Sequence, residues 1–292
     1  MVLMGWVCIK LPNEGGEMAP GTPFDASERR AWANSADAYE ASFGRLCAHP
    51  IPRLLDAAGV HAGTRVLDVG TGTGSVAVAA GARGARVTAV DADPGMARRA
   101  AHAAPDACAV IAALPQLPFP DGQFDAVVGN FVLNHVGRPR AALDELRRVT
   151  RRGGRIALTL WAAPAAPGQA LLGRAVQAAG VTRPPDLPAL APEDDFPRTE
   201  DGLLGLLRGA GLADAACLPL SWDHRTTPQE WWRGPAAGVA TIGRIVISQG
   251  PAVTERIRRQ FAVLAEEFTD RDGSLVLPHA ALLASGRVAG SA

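Results

Sequence analysis

From Arg65 onward, short apolar runs alternate with stretches of helical periodicity, and few architectures accommodate that order. RVLDV precedes a helical stretch from Ser75, RVTAV precedes one from Pro94, and CAVIAAL follows. FDAVVGN, a helical stretch from Pro139 to Val149 and RIALTLW continue the series. Strand and helix alternating through short connections imply a parallel sheet with right-handed crossovers. The expected fold is α/β, doubly wound, on a mostly parallel sheet.

The remaining sequence is organised around that core. Residues 1–26, rich in Gly and Pro, read as a flexible leader, and 27–60 as an N-terminal helical cap of one or two helices between Ser27 and Leu55. The core proper spans 61–161. In 162–198, a Pro-rich lid or insertion, the prolines crowd together (APAAP, RPPDLPALAPEDDFP), which predicts a loop, a lid, or a short helix at Leu171–Ala179 between two linkers. Residues 199–292 return to the core. A helix at Thr199–Ala210 and a strand at Ala215–Trp222 come first, then a helical insertion at about 225–270, and HAALLASGRV is the last strand.

Lys plus Arg equals Asp plus Glu at 29 each, so the chain has no net basic field to hold a nucleic-acid backbone or an anionic membrane. No apolar run approaches the ~20 residues that span a bilayer. The start, MVLMGWVCIKLP, lacks a positive leading segment and a cleavage site, so no secretion signal is expected, and Met18 is an alternative start. Cys8, Cys47, Cys108 and Cys217 have no metal-ligand spacing, which predicts reduced thiols, no metal and a cytoplasmic location.

The chemically informative stretch is Val66-Leu67-Asp68-Val69-Gly70-Thr71-Gly72-Thr73-Gly74-Ser75, an apolar strand running into glycines and then a helix. Such glycines let backbone approach a ligand closely, and N–H groups at the helix start face an anionic group. The third glycine falls one residue short of the G-x-G-x-x-G dinucleotide spacing, and Asp68 stands two positions before the first, which favours a ligand bearing an ammonium group over a pyrophosphate. At the end of the next strand, 21 residues after Gly70, stands Asp91, placed to accept both hydroxyls of a ribose.

With these coupled motifs, and with ALPQLPFPDGQFDAVVGNFVLNHV and LRRVTRRGGRIALTLW after them, the sequence resembles the class I S-adenosylmethionine-dependent methyltransferases over residues 32–161. The resemblance implies a Rossmann-like, mostly parallel seven-stranded sheet and S-adenosylmethionine as methyl donor, with S-adenosylhomocysteine as product. It also implies site residues. Gly70, Gly72 and Gly74 match the glycine turn, with Asp68 facing the methionine part of the donor; Asp91 matches the ribose ligand; Ala92 and Met96 fall where the family packs adenine. Asn130 matches the position whose backbone carbonyl meets the donor's ammonium. Ala113 replaces a frequent acidic adenine ligand, while Leu114 still offers its backbone N–H. Tyr39, in the cap, is expected to line the donor site.

Transfer from a sulfonium needs alignment, exclusion of water and, for some acceptors, a base. Trp32, Phe131, Trp222, Trp231 and Trp232 are candidate walls of an acceptor pocket, and His135 and His224 are candidate bases. His49, His61, His102 and His279 are read as surface or structural. The expected activity is methylation of a small aromatic or heteroaromatic metabolite, indole- or phenol-like, in specialised (natural product) metabolism, by a monomer or homodimer. The rival readings are a ubiquinone/menaquinone-type C-methyltransferase, a non-catalytic S-adenosylmethionine-binding protein and, more remotely, a nicotinamide-dependent oxidoreductase.

Overall fold

The computed structural model describes residues 9–10, 21–184 and 187–290. Eight strands run β1 (Ile9–Lys10), β2 (Arg65–Val69), β3 (Arg86–Asp91), β4 (Cys108–Ile111), β5 (Phe124–Asn130), β6 (Thr150–Trp161), β7 (Leu212–Thr226) and β8 (Leu275–Val288). They form one sheet in the order β1-β4-β3-β2-β5-β6-β8-β7. All neighbours from β1 to β6 pair parallel, and β8 pairs antiparallel with both β6 and β7. The seven-stranded sheet that the motifs imply is β2 to β8, and the two-residue β1 lengthens it at the β4 edge.

Alternate residues of the central strands feed two separate cores, as the two-residue period of a strand requires. Val66, Ala126, Val128 and Ala157 pack on one face against α4 (Ile51–Ala57) and α5 (Ser75–Ala82) through Leu54, Leu55, Val76 and Ala80. Leu67, Val127, Ile156 and Leu158 pack on the other against α7 (Pro139–Val149) and α9 (Glu200–Gly209) through Leu143, Leu146, Leu203 and Leu207. Helices thus cover both faces, and the carboxyl ends of the parallel strands are left to build a site. Truncating a core leucine such as Leu146, which is fully buried, to alanine costs about 2–5 kcal/mol.

The N-terminal region departs from expectation. In place of one or two long helices there are α1 (Pro23–Trp32), α2 (Ala36–Glu40), α3 (Gly44–Ala48) and α4. Asn34, in left-handed conformation at φ 60°, ends the first path, and Pro50 and Pro52 force a fresh start at Ile51. The leader is also not irregular throughout: Ile9–Lys10 pairs with β4, and Thr22 caps α1 in a capping box with Asp25. The rest of the leader, with Cys8 and Met18, lies outside the described residues. No disulfide links the described cysteines, and no helix among the described residues is long and apolar enough to cross a membrane.

The last two strands are longer than their sequence patterns. β7 and β8 pair from Leu212↔Val288 to Thr226↔Leu275, whereas β6 ends at Trp161↔Ala281. The ribbon therefore continues past the carboxyl edge of the parallel strands. At its tip it carries α10 (Pro228–Ala236), α11 (Ala240–Ile247) and α12 (Pro251–Ala265). These pack with α8 (Pro167–Ala178) in a third apolar cluster that includes Leu171, Ala175, Trp231, Ile257, Phe261 and Leu277.

Candidate functional site

A continuous cavity of about 1030 Å³ lies over the carboxyl ends of the parallel strands. Its first end is the turn after β2. Gly70 and Gly72 line it at φ 65° and 56°, conformations that cost a side-chain-bearing residue strain. At Gly70 a Cβ would also lie 2.5 Å from Val132 Cγ2. Asp91 holds the turn in place. Its Oδ2 accepts from Gly72 N at 2.9 Å and its Oδ1 from Asp93 N at 2.9 Å. Burial pushes the Asp91 carboxyl up to about 6 against the pull of those two backbone bonds.

Asp68 stands beneath the turn, fully buried and outside the cavity lining. One oxygen accepts from the Thr71 hydroxyl at 2.6 Å, and Oδ1 has no partner. Burial lifts it to about 7, opposed by the Thr71 bond and reinforced by the charge of Asp91. The expectation that Asp68 faces the donor directly is thus corrected, because its strand position points it under the glycines. Gly74 is a second correction. It does not line the cavity; at φ 93° it lets α5 approach α6 (Pro94–Ala103), and a Cβ there would lie 2.8 Å from Ala100 Cα.

Ala92, Met96, Ala113, Leu114 and Asn130 all line the cavity. The Asn130 side chain is already engaged: Nδ2 donates to the Cys47 carbonyl at 2.7 Å, and Oδ1 accepts from the Thr159 hydroxyl at 2.6 Å. The cap and β6 are thereby tied to the end of β5. Tyr39 also lines the cavity, edge-on to Trp32 at 5.7 Å, and burial followed by the neighbouring Cys47 holds its hydroxyl well above its ordinary value.

Helix α1 closes this end. Gly137 N donates to Asp25 at 2.6 Å, His135 Nδ1 lies 2.7 Å from Glu28, and the Trp32 indole N–H donates to Glu28 at 3.2 Å. Burial alone raises Glu28, yet the hydrogen bonds from His135 and Trp32 and the charge of Arg244 leave it below the usual carboxylate value. Gly137 is required for this docking, since a Cβ there would lie 2.0 Å from Thr22 Oγ1.

The second end is aromatic. Phe131, left-handed at φ 61°, stacks on Trp161 with centroids 4.0 Å apart and planes 18° from parallel. Phe43, Trp231 and His279 complete the wall. Three expected residues lie outside it. Trp222 stacks between His49 and His279, Trp232 stacks on Phe261 at 5.5 Å, and His224 is buried 5.5 Å from the Trp231 ring. Trp222 and His224 share the sheet face of His279, but the rings of His49, His279 and Trp231 cover them there, while the turn of α10 aims Trp232 at Phe261. His224 does not line the cavity, so a base role facing a ligand is corrected for it; burial, then the charges of His279, His49 and Arg45, also brings it down to about 4.

The structure brings Trp32, Phe131, Trp231 and His135 to the cavity as expected and adds Glu28, Phe43, Trp161, Gln169 and His279. Trp161 had a readable signal, closing an apolar strand one position after that strand's last buried residue. His279 had none, because its place depends on how far the β7–β8 ribbon overshoots β6.

Residues 67–158 match a family of methyltransferase domains. Over these residues the chain carries a methyltransferase domain, like those of the class I S-adenosylmethionine-dependent methyltransferases. The chain is similar to an uncharacterized protein of Mycobacterium tuberculosis, 36% identical over 65% of this chain and 66% of that one. It is also similar to the demethylmenaquinone methyltransferase of Beutenbergia cavernae, 40% identical over 41% of this chain and 50% of that one. The chain therefore matches about half to two-thirds of the length of these relatives. Among solved structures, the YcgJ protein of Bacillus subtilis shares the fold, with TM-score 0.55 and 20% identity over 83% of this chain and 99% of that one.

Proposed function

We propose that the chain transfers the methyl group of S-adenosylmethionine to a small aromatic acceptor. One observation carries this reading: a single cavity joins the glycine turn and Asp91 to the stacked Phe131–Trp161 wall, so donor and acceptor share one volume. At about 1030 Å³ it reaches the upper range of small-molecule pockets, ample for two ligands.

The residues present fit an adenosyl donor. Asp91 ends β3 with a lone pair free on each oxygen for ribose hydroxyls, Gly70 and Gly72 bring bare backbone to the cavity, and the orphan Asp68 oxygen puts negative charge beneath the turn. Ala92 and Met96 offer apolar contact to adenine, with Ala113 and Leu114 beside them. The bound donor supplies an already activated methyl carbon. The protein's share is alignment, by Tyr39 and Asn130 at the methionine side and by the aromatic wall at the acceptor side, and exclusion of water by α1 through Asp25, Glu28 and Trp32. In this arrangement the His135–Glu28 pair serves to hold the cap closed over the donor.

The acceptor class follows from the wall: Phe131, Trp161, Phe43 and Trp231 present ring faces, which bind planar aromatics and sulfonium alike. The test is a mass-spectrometric screen of the purified chain with S-adenosylmethionine and a panel of phenols, hydroxyindoles, indoles, amines and quinone precursors. A gain of one methyl group on an aromatic member is the expected result. Methylation confined to aliphatic amines, or S-adenosylhomocysteine binding with no product from any member, would sink the reading. A quinone precursor as preferred substrate, methylated on carbon, would select the demethylmenaquinone-type activity instead. Specialised metabolism and a cytoplasmic location complete the proposal.

A further inference from the structure

At the aromatic end of the cavity, the Trp231 indole N–H and the Gln169 Oε1 are buried without partners, and His279 lies beside them. His279 lies on β8 two residues before Ala281, the partner of Trp161 at the end of β6, so it stands just beyond the carboxyl edge of the parallel strands. It is 2% exposed and lines the cavity. Its Nδ1 is 2.8 Å from the Leu277 carbonyl. A carbonyl only accepts, so Nδ1 carries the proton and Nε2 keeps a lone pair, for which no described residue provides a hydrogen-bond donor.

The other two groups are close by. The Trp231 ring is 5.6 Å from His279, and its indole N–H is buried without a partner. Gln169 opens on the same cavity with Oε1 unpartnered, and its neighbour Gly168 packs so tightly on β8 that a Cβ would lie 2.7 Å from Leu277 Cα. Buried polar groups normally find partners, and one ligand hydroxyl satisfies two of these at once, donating to the His279 lone pair and accepting from the Trp231 N–H, with the Gln169 amide beside them.

We infer that His279 faces the reacting group of the acceptor through Nε2, and that this group is a hydroxyl on an aromatic ring, flanked by the Trp231 N–H and the Gln169 amide. The inference rests on the aromatic-acceptor reading above. A ring carbon presents a C–H to Nε2 and leaves all three groups unpaired; a hydroxyl donates to Nε2 and accepts from Trp231. In the transfer, the hydroxyl oxygen bonds the methyl carbon while the methyl–sulfur bond breaks and its electron pair stays on sulfur. The hydroxyl proton passes to Nε2 and then to water. The products are an aryl methyl ether, S-adenosylhomocysteine and a neutral His279.

The surroundings suit that role. Burial brings His279 down to about 4, with the Leu277 bond and Asp223 opposing and His49 assisting, so the ring is neutral across the working range of pH. A hydroxyl oxygen already bonding a methyl group is far more acidic than a free phenol, so a weakly basic imidazole still takes its proton.

The test has a binding arm and a turnover arm. With S-adenosylhomocysteine saturating, calorimetry compares 2-naphthol with 2-methylnaphthalene on the wild type, His279→Leu and His279→Gln. The wild type is expected to prefer the naphthol at least tenfold, His279→Leu to bind both alike, and His279→Gln, which keeps an acceptor atom, to retain most of the preference. If the wild type does not discriminate, or His279→Leu still does, the inference fails while the aromatic-acceptor reading stands. If neither aromatic binds, that reading fails and takes this one with it. In turnover on the hydroxyarenes of the screen, His279→Gln is expected to lose at least a hundredfold in kcat with KM within threefold. An unchanged kcat, products methylated only on carbon or nitrogen, or no O-methylated product from the panel overturns the inference.

Discussion

At the glycine-turn end of the cavity, Gly70, Gly72, Asp91, Ala92 and Met96 come from two consecutive strand–helix junctions. At the aromatic end, Phe43, Phe131, Trp161, Trp231 and His279 come from five separated segments and meet it through side chains. The first end is a local motif whose geometry its own glycines and one carboxylate enforce. The second exists only when the cap, β6, the ribbon and α10 have all assembled. Changes at the first end should therefore act on donor binding, and changes at the second on the acceptor, with little crossing over.

The largest separation is expected from Asp91→Ala. The variant loses the carboxylate proposed for the ribose hydroxyls and both backbone bonds that fix the turn, at 2.9 Å each. Hydrogen bonds to charged groups contribute about 1.5–3 kcal/mol apiece. S-adenosylhomocysteine affinity should drop roughly a hundredfold or more in calorimetry, while 2-naphthol binding to the donor-free protein stays within about threefold. Unchanged donor affinity would mean that the ribose is not held at the end of β3.

A stability pair sharpens the same comparison. Gly70 and Gly63 both sit at positive φ, 65° and 82°, but a Cβ at Gly70 would strike Val132 at 2.5 Å, and at Gly63 it would meet nothing within 4 Å. Gly63→Ala should cost about 1 kcal/mol, the backbone strain alone. Gly70→Ala should cost about 2–3 kcal/mol and also weaken donor binding. Thermal melts with and without S-adenosylhomocysteine check both parts. Equal losses in the two variants would show that Val132 yields without cost.

The donor end was legible because its chemistry is written in adjacent residues: the glycine spacing, Asp91 one strand later and the Ala113–Leu114 turn are read in order along the chain. Two details there still escaped. Asp68 lies beneath the turn and Gly74 serves helix packing, since pattern gives the residue but not which side of a strand end it takes. At the acceptor end, residue type suggested Trp231 correctly and Trp222, Trp232 and His224 wrongly, because adjacent residues point in different directions and no local signal fixes the register of β7 on β8. His279 was read as structural for the same reason. The short helices of the cap were missed where prolines and a left-handed Asn34 outweighed helical periodicity.

Charge gives a test with a defined direction. Burial lifts Asp68 to about 7 and Asp91 to about 6. For carboxyls raised in the folded state, the stabilisation of the ligand-free protein is fully present below the unfolded value near 4 and is lost as pH rises through 6 to 7. A cationic donor reverses the trend, because it is attracted by the ionised forms. S-adenosylmethionine affinity should therefore rise roughly tenfold between pH 5.5 and 7.5, and the gain in Tm on adding it should grow over the same interval. Asp68→Asn should flatten the profile. Binding of 2-naphthol should not follow it, and a parallel profile for both ligands would join the two ends electrostatically.

The smallest effect distinguishes neighbours on one helix. Trp231 and Trp232 are adjacent on α10, yet Trp231 lines the cavity with an unpartnered indole N–H, and Trp232 stacks on Phe261 outside it. Phenylalanine fills most of the volume of either, so both substitutions should cost less than about 1.5 kcal/mol. Trp231→Phe removes one neutral hydrogen-bond donor from the proposed acceptor site. A bond of that kind contributes about 1 kcal/mol, so the acceptor KM should rise about fivefold with donor affinity unchanged. Trp232→Phe should leave KM within twofold. Reversal of the two results would mean that the acceptor approaches α10 from its Phe261 side, and the aromatic end would then have to be redrawn around α12, with His279 behind it.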